Sequence, residues 1–480
     1  MTDCATVPPF LATIATRSTL LETKSMYVKS IRLENVKGFK DLLLDFERPD
    51  HTFRGWTVLV GGNASGKSTL LKALALGMLG PDAGKQLLVS PAGWISPKAA
   101  RAEARLKMHL DKKVDFFKGG GAPPAGEFEA GLRWSFDPKE HRENREPATP
   151  EFRAIEFRNA KKSRIQTAER GPWNPNAAGW FCAGYGPMRR LSGSSSESMR
   201  FSVAGGTMSR FVTLFREDAA LSESEAWLKL NHSRQLESKS ADLAVLLDGV
   251  QKMLGDGLLP HGMNVTRITV DHVYVRDGRG VELPLRDVSD GCRSIYATVL
   301  DLIHNMAEVY GSAGLFAKDA DGHVVVQKPG VVLIDEIEAH LHPKWQLDIP
   351  EWLKIHFPEV QFIVSTHSAF VAQAADPNGV FVLPSQDEAG RIPRRLDEHE
   401  YERLRLGRAE KTLLGTAFGL KSTRSKWAND RIAEWKKLNA KAKSGTPLSP
   451  IDRTHLSQLH EQMHIAFDDF ADNVSAELPA

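Results

Sequence analysis

The chain has 480 residues, 41% hydrophobic and 25% charged, with 62 Lys plus Arg against 60 Asp plus Glu and a formal net charge of +2. Such values exclude collagen-like, disulfide-rich and generally disordered chains and predict a sizeable core, in about three domains or one with insertions. A whole-chain polycation is excluded as well, whereas a local basic face is not. No stretch approaches the roughly 20 apolar residues of a membrane helix. The three cysteines, Cys4, Cys182 and Cys292, form no CxxC pair, a usage that fits a reducing, cytoplasmic setting.

The first 25 residues lack the basic start and long apolar run of a secretory signal. Residues 1–26 are expected to be a disordered leader, with Met26 a candidate native start. From Tyr27 to Phe46, alternating Ile31, Leu33, Val36, Leu42, Leu44 and Phe46 predict two strands around a turn at Lys37-Gly38. The apolar run WTVLV predicts a buried parallel strand, followed by GGNASGKS and a helix closing at Gly80-Pro81. Residues of about 85–180 read as an insertion, with a basic helix over Lys98–Lys118 and strands in FEAGLRWSF and FRAIEFRNA. WFCAGYG reads as a core strand, about 208–260 as a helical lobe, and VTRITVDHVYVRDGRGVEL as a hairpin turning at Asp277-Gly278. Then come VSDGCRS, a helix to about Tyr310, the strand GVVLIDE, a helix from Pro343 and the strand QFIVSTHS. That alternation predicts a largely parallel sheet with helices on both faces. Residues 27–384 thus form one α/β head, and 385–480 a helical region. Within the latter, Arg391–Lys443 carries 15 basic and 7 acidic residues.

Gly61, Gly66, Lys67 and Ser68 satisfy GxxxxGK[ST] between an apolar strand and a helix. The loop Gly61, Gly62, Asn63, Ala64, Ser65, Gly66, Lys67, Ser68, Thr69 is therefore the candidate phosphate site. Glycines let backbone N–H groups wrap a phosphate, Lys67 reaches β/γ oxygens, Ser68 offers an oxygen to Mg²⁺, and the helix start adds partial positive charge. Asp335 and Glu336 end an apolar strand, where Asp335 can hold Mg²⁺ and Glu336 can activate water. His367 ends another and can donate to a γ-phosphate. Ser289, Asp290 and Gly291 open a helix, a second anion-friendly start.

In this order the motifs resemble the ABC-type ATPase heads of SMC, RecF and OLD proteins. In particular they resemble the stand-alone ATPases of prokaryotic antiphage defence: the Septu ATPase that works with an HNH nuclease, and its retron-borne relatives. The resemblance is carried by GFKDLLLDF, GGNASGKST, GYGPMRRLSG, VSDGCRS, VLIDEIEAHLHP and VSTHS. It implies an α/β ABC-type P-loop head with a mixed sheet, a helical insertion lobe and a C-terminal helical region that docks a partner or nucleic acid. ATP and Mg²⁺ are the implied ligands. Ser289, Asp290 and Gly291 take the signature position, which in the family contacts the γ-phosphate held by the opposite subunit. Ala339, His340, Leu341 and His342 take the D-loop position, and His367 that of the switch histidine. Two nucleotides sandwiched between head-to-tail heads imply a homodimer or larger oligomer. A separately encoded HNH-type nuclease is the implied partner, DNA or RNA a further candidate, and a membrane none.

Two departures stand out. The signature reads SDGCR rather than SGGQ, and no Q-loop glutamine is evident. Gln86 and Gln166 are candidates, with Tyr185 and Arg189 as substitutes. His460 and His464 match HExxH, yet an apolar stripe of Leu456, Leu459, Met463, Phe467 and Phe470 beside them reads as a packing helix rather than a zinc protease. Trp427 and Trp435, eight apart, read as one packing face. No nuclease centre is evident. Two rival functions stay open: a RecF-like DNA-repair clamp and a non-catalytic ATP-binding scaffold.

Overall fold

A computed structural model of the chain describes residues 26–110, 115–119, 124, 126–136, 150–158, 164–165, 167–203, 205–384 and 392–468, with side chains to Met463. Residues 1–25 of the expected leader, Gln166, His464, Phe467 and Phe470 lie outside what is described. Two compact units are present, divided between Ala409 and Glu410.

The first unit is built on two sheets. Strands β1 (Tyr27–Val36), β2 (Phe39–Asp45), β4 (Arg101–His109), β5 (Glu127–Ser135) and β6 (Glu151–Ala154) form an antiparallel sheet in the order β2-β1-β4-β5-β6. The second has the order β18-β17-β3-β16-β15-β9. Its strands are β3 (Gly55–Val60), β9 (Cys182–Tyr185), β15 (Gly330–Ile334), β16 (Val360–Ser365), β17 (Val380–Val382) and β18 (Arg394–Arg395). All its pairings are parallel except the edge pair β17–β18. The expected α/β class with a parallel sheet is thereby met. Shorter ladders pair β7 (Phe157–Arg158) with β8 (Arg164–Ile165), β10 (Asn264–Ile268) with β11 (Val273–Arg276) and β12 (Glu282–Pro284), and β13 (Phe316–Lys318) with β14 (Val324–Val326).

The expected helix over Lys98–Lys118 is instead β4. Its Ala102, Ala104, Leu106 and Met108 are fully buried with a period of two, and the intervening charges pair across the sheet. Glu103, itself buried, accepts from Arg105 and Arg133 at 2.7 Å. Basic residues at alternate positions are thus the outer face of a strand, not of a helix.

The helix Lys67–Leu87 packs on strands of both sheets. Leu70, Leu71, Leu74, Leu76 and Met78 are buried, so up to Gly80 it is buried on most of its circumference, as a helix between two sheets must be, while Asp82, Lys85 and Gln86 beyond are exposed. It does not stop at Gly80-Pro81 but kinks there, with Gly80 at φ 81°. Proline has no N–H for the carbonyl four residues back. Trp173 Nε1 donates to that carbonyl, Gly77 O, at 2.8 Å, and the helix continues. The two sheets are also stitched directly. Buried Gln361 on β16 accepts from Val28 N at 2.8 Å and donates to Val28 O at 2.9 Å.

The helix Asp290–Tyr310 buries Asp301, whose carboxyl accepts from Tyr185 Oη at 3.0 Å and Asn305 Nδ2 at 2.8 Å. Burial pushes its pKa up to about 7, against the opposing pull of those donors. The second unit pairs the helices Lys426–Lys443 and Pro450–Asp468 through Trp435, Leu459 and Met463. Trp435 Nε1 donates to His460 Nδ1 at 3.4 Å, which supports the packing reading of this histidine. Trp427, by contrast, is 63% exposed; the helix is short of apolar partners at that end, and the expected shared face is Trp435 alone. Among the described residues no helix is long and apolar enough to cross a membrane.

Gln361→Ala strands a buried N–H and C=O of Val28, at about 1–3 kcal/mol for each unsatisfied group. Denaturant unfolding of the variant should show a lower midpoint. For Asp301, the folded state holds its proton more tightly than the usual carboxylate. The contribution of Asp301 to stability is therefore fully present below about pH 4 and is lost as pH rises through about 7, by at most about 1.4 kcal/mol per unit. Asp301→Asn should remove that slope from melting curves taken across the range.

Candidate functional site

Strands β3, β16 and β15 run side by side in parallel, with Leu59 beside Ser365 and Val364 beside Ile334. Their C-terminal ends therefore release three loops at one edge: Gly61–Gly66 after β3, Asp335–His342 after β15, and Thr366–Ser368 after β16. Ligands of open parallel sheets collect at that edge.

The first loop returns on itself. Lys67 Nζ donates to Gly61 O at 2.9 Å and Gly62 O at 3.0 Å, and Ala64 takes a left-handed φ of 60°. Gly66, at φ 97°, opens the helix with no side-chain cap; a Cβ there would lie 2.4 Å from the Phe39 ring. At Gly61 a Cβ would lie 2.4 Å from Leu383 O and 2.7 Å from Ser65 Oγ. Ser65 Oγ itself is buried with no hydrogen-bond partner. An orphaned hydroxyl, an uncapped helix start and an ammonium bound only to carbonyls fit a phosphate group. Burial lowers the Lys67 pKa, while Asp335, Glu336 and Glu338 oppose that by their charge.

The acidic loop is held from below by Ser365. Its hydroxyl donates to Asp335 Oδ1 and accepts from Glu336 N at 2.8 Å. Asp335 is 4% exposed, and its second oxygen has no protein hydrogen bond among the described residues. With the half-buried Ser68 hydroxyl it offers the hard oxygens that Mg²⁺ takes. Glu336 sits at φ 45°, a conformation costly for a side-chain residue unless its surroundings enforce it. The enforcement comes from Arg189. Its fully buried guanidinium donates to Gly186 O (2.8 Å), Asp335 O (2.9 Å), Glu336 O (3.2 Å) and Ile337 O (3.1 Å). Burial lowers its pKa to about 10, opposed by Glu338, Asp335 and Glu336, so the guanidinium remains charged at neutral pH.

Glu338 ties this loop to the third. It accepts from Thr366 Oγ1 at 2.6 Å and from His367 N. His367 thus has a fixed backbone beside the acidic loop, with a half-buried ring. Ser368 Oγ donates to Gln346 Oε1 at 2.6 Å, and Gln346 returns to Leu341 O at 2.9 Å. His342 caps the following helix, its Nδ1 accepting from Lys344 N at 3.3 Å.

Ser289 and Asp290 are exposed at the start of the helix Asp290–Tyr310. Ser289 does not cap it, donating instead to Cys292 Sγ at 3.2 Å, and Asp290 pairs with Arg293. Gly291 lies against the D-loop position: a Cβ would meet His340 O at 2.4 Å. Among the described residues no hydrogen bond or ion pair joins Ser289, Asp290 or Gly291 to the loop Gly61–Thr69.

Of the Q-loop candidates, Gln86 bonds Asp82 O far along the helix, and the Tyr185 hydroxyl is buried against Asp301. Arg189 is at the site, bound to backbone carbonyls. Sequence reasoning missed Ser365, Glu338 and Gln346. The hydroxyl run Ser365-Thr366 before His367 was the available signal for the first; nothing local marks the others.

Residues 56–372 match the family described as AAA domain, putative AbiEii toxin, Type IV TA system. The Septu protein PtuA of Bacillus mycoides (strain KBAB4) is 24% identical over 369 residues, which cover 76% of this chain and 41% of that protein. The Retron Vc95 probable ATPase of Vibrio cholerae is 33% identical over 108 residues, covering 22% of this chain and 19% of its own. The chain thus spans less than half the length of these relatives. Among solved structures, an SMC head bound to the C-terminal winged-helix domain of ScpA aligns with 77% of this chain and 97% of its own, with TM-score 0.44 and 14% identity.

Arg189→Lys keeps a buried charge but cannot span four carbonyls, so the Glu336 turn should relax. Misplacing a reacting group by about 1 Å costs around 100-fold. In the ATPase reading proposed below, the variant's kcat should fall by that order while nucleotide affinity changes little, because the Gly61–Thr69 loop does not touch Arg189. A KM rise with unchanged kcat would contradict this assignment.

Proposed function

The chain belongs to the family of AAA domains described as putative AbiEii toxins of type IV toxin–antitoxin systems, and on that premise we propose that it is a Mg²⁺-dependent ABC-type ATPase acting as a head-to-tail dimer or larger oligomer. The observation that carries the ATPase reading is the convergence of Lys67, Ser68, Asp335 and Glu336 at one edge of three parallel strands. The orphaned Ser65 hydroxyl in the same loop supports it.

In this reading the Gly61–Thr69 loop binds the phosphates, its N–H groups and the helix start facing the anion. Lys67 exchanges its two carbonyl acceptors for phosphate oxygens, a charge-assisted and stronger pairing. Mg²⁺ held by Ser68 and Asp335 would neutralise charge on the β/γ oxygens. Glu336, oriented by Arg189 and Ser365, takes the proton from the attacking water. His367, oriented through Glu338, donates to the terminal phosphate.

The second half of the site comes from another copy. Ser289 and Asp290 present an uncapped helix start to solvent, with Gly291 buried behind them, and none of the three has a polar bond to the phosphate loop of its own chain. In a head-to-tail pair they face the partner's terminal phosphate. The likeness to Septu and retron ATPases supports a cytoplasmic role in antiphage defence, with a separately encoded HNH-type nuclease as the controlled partner. The basic run Arg391–Lys443 suits a phosphate backbone and keeps a DNA or RNA ligand in view.

Glu336→Gln should retain ATP, lose turnover by about 10²–10⁴-fold and accumulate as a dimer or larger species in sedimentation with ATP and Mg²⁺. Adding Ser289→Arg should return it to the monomer with ATP still bound. Normal turnover of Glu336→Gln overturns the assignment of the base. A monomeric trapped form overturns the sandwich. Strong stimulation by DNA without any nuclease partner favours the repair-clamp alternative.

A further inference from the structure

Away from the phosphate site, three residues distant in sequence meet on one flank of the first unit. Asp256 directly follows the helix Ala241–Gly255, His323 ends the turn joining β13 to β14, and His356 is the last residue of the helix Pro343–His356. His323 Nδ1 is 2.7 Å from Asp256 Oδ2, and His356 Nε2 is 3.6 Å from the same oxygen. One donor atom from each residue lies within 4.8 Å of the other two.

The tautomer of His356 is decided by its other nitrogen. Nδ1 is 2.7 Å from Val324 O, and a carbonyl only accepts, so Nδ1 carries the proton. In the neutral ring Nε2 is then a lone pair 3.6 Å from a carboxylate oxygen, two acceptors that a cation between them would join. The ring is fixed in that pose. It is buried, 1% exposed, and Trp352 covers it with ring centroids 4.0 Å apart. Trp352 Nε1 in turn donates to Asp256 O at 2.7 Å, anchoring the backbone of the carboxylate residue. On the third side Asp319 Oδ1 accepts from His323 N at 2.8 Å and shapes the turn that presents His323.

We propose that Asp256, His323 and His356 form a zinc site. Two imidazoles and one carboxylate suit Zn²⁺, which takes three protein ligands with water in the fourth position, at about 2.0–2.2 Å. A tetrahedron of that size has edges of roughly 3.3–3.5 Å, between the observed 2.7 and 3.6 Å. The third edge, between the two imidazoles, is within 4.8 Å, so the three side chains would close around the ion as it seats. The Nδ1–H to carbonyl bond of His356 is the outer-shell contact that histidine ligands of zinc characteristically make. Mg²⁺ is a poor match because it prefers oxygen donors, so this site and the nucleotide site select different metals. The ion clasps a helix end, a hairpin turn and a second helix end that the backbone alone leaves unlinked. This inference does not depend on the ATPase reading.

The test uses the full chain, chelator-treated, then loaded with zinc sulfate and desalted. Elemental analysis should find one more zinc per chain in wild type than in His323→Ala or Asp256→Asn. Both substituted side chains are partly exposed, and melting in chelator checks that the variants fold. Zinc should raise the wild-type melting temperature and leave both variants unmoved. With Co²⁺ in place of zinc, wild type alone should show the visible bands of a four-coordinate ion. Equal zinc content in all three proteins places the ion on other histidines, such as His460 and His464, and overturns the proposal. A wild type that retains no zinc overturns it as well.

Discussion

The common C-terminal edge of β3, β16 and β15 is the constraint on which the rest of this molecule depends. Parallel pairing with Leu59 beside Ser365 and Ile334 beside Val364 brings the Gly61–Gly66 loop to two loops that follow it by more than 250 residues in the chain. Once the three strands are in register, Ser365 can reach both Asp335 and Glu336, and Glu338 can reach Thr366 and His367. A slip of one residue would turn every one of these side chains to the opposite face. The helix Lys67–Leu87, buried between two sheets, and Gln361, bonded across to Val28, hold that register from outside the site.

Charged groups at this edge are bound mainly to the backbone. Lys67 holds two carbonyls and Arg189 holds four, while Glu338 accepts one main-chain N–H. Backbone partners do not rotate away as side chains do, so a residue at an unfavourable φ, such as Glu336, stays there. The strain is local and the restraint is distributed over β9, β15 and β16. That division is how a folded chain keeps a residue at an unfavourable φ in one orientation.

Much of this was legible in the sequence because its signals are local. GGNASGKS marks its own loop, apolar runs mark buried strands, and their order gives the βαβ alternation. Other features depend on partners that sequence does not put side by side. The alternation of β4 was masked by its basic outer face, which imitates a charged helix surface until β1 and β5 flank it. Pro81 signals an end to its helix, and only Trp173, 92 residues later, supplies the hydrogen bond that lets it continue. The sequence marks Arg189 only as a substitute for a Q-loop residue; its hold on four carbonyls is hidden because backbone acceptors carry no side-chain signature. Asp256, His323 and His356 come from three separate segments with no common spacing, so no motif announces them.

The close approach of Gly291 to His340 O has a mechanical consequence. With only hydrogen in place of a side chain, the first turn of the helix Asp290–Tyr310 rests directly on the backbone that follows Glu336. Protein interiors are closely packed and transmit strain, and this contact leaves no room for a side chain. A displacement of the helix start would therefore be passed to the turn bearing the acidic residues of the same chain.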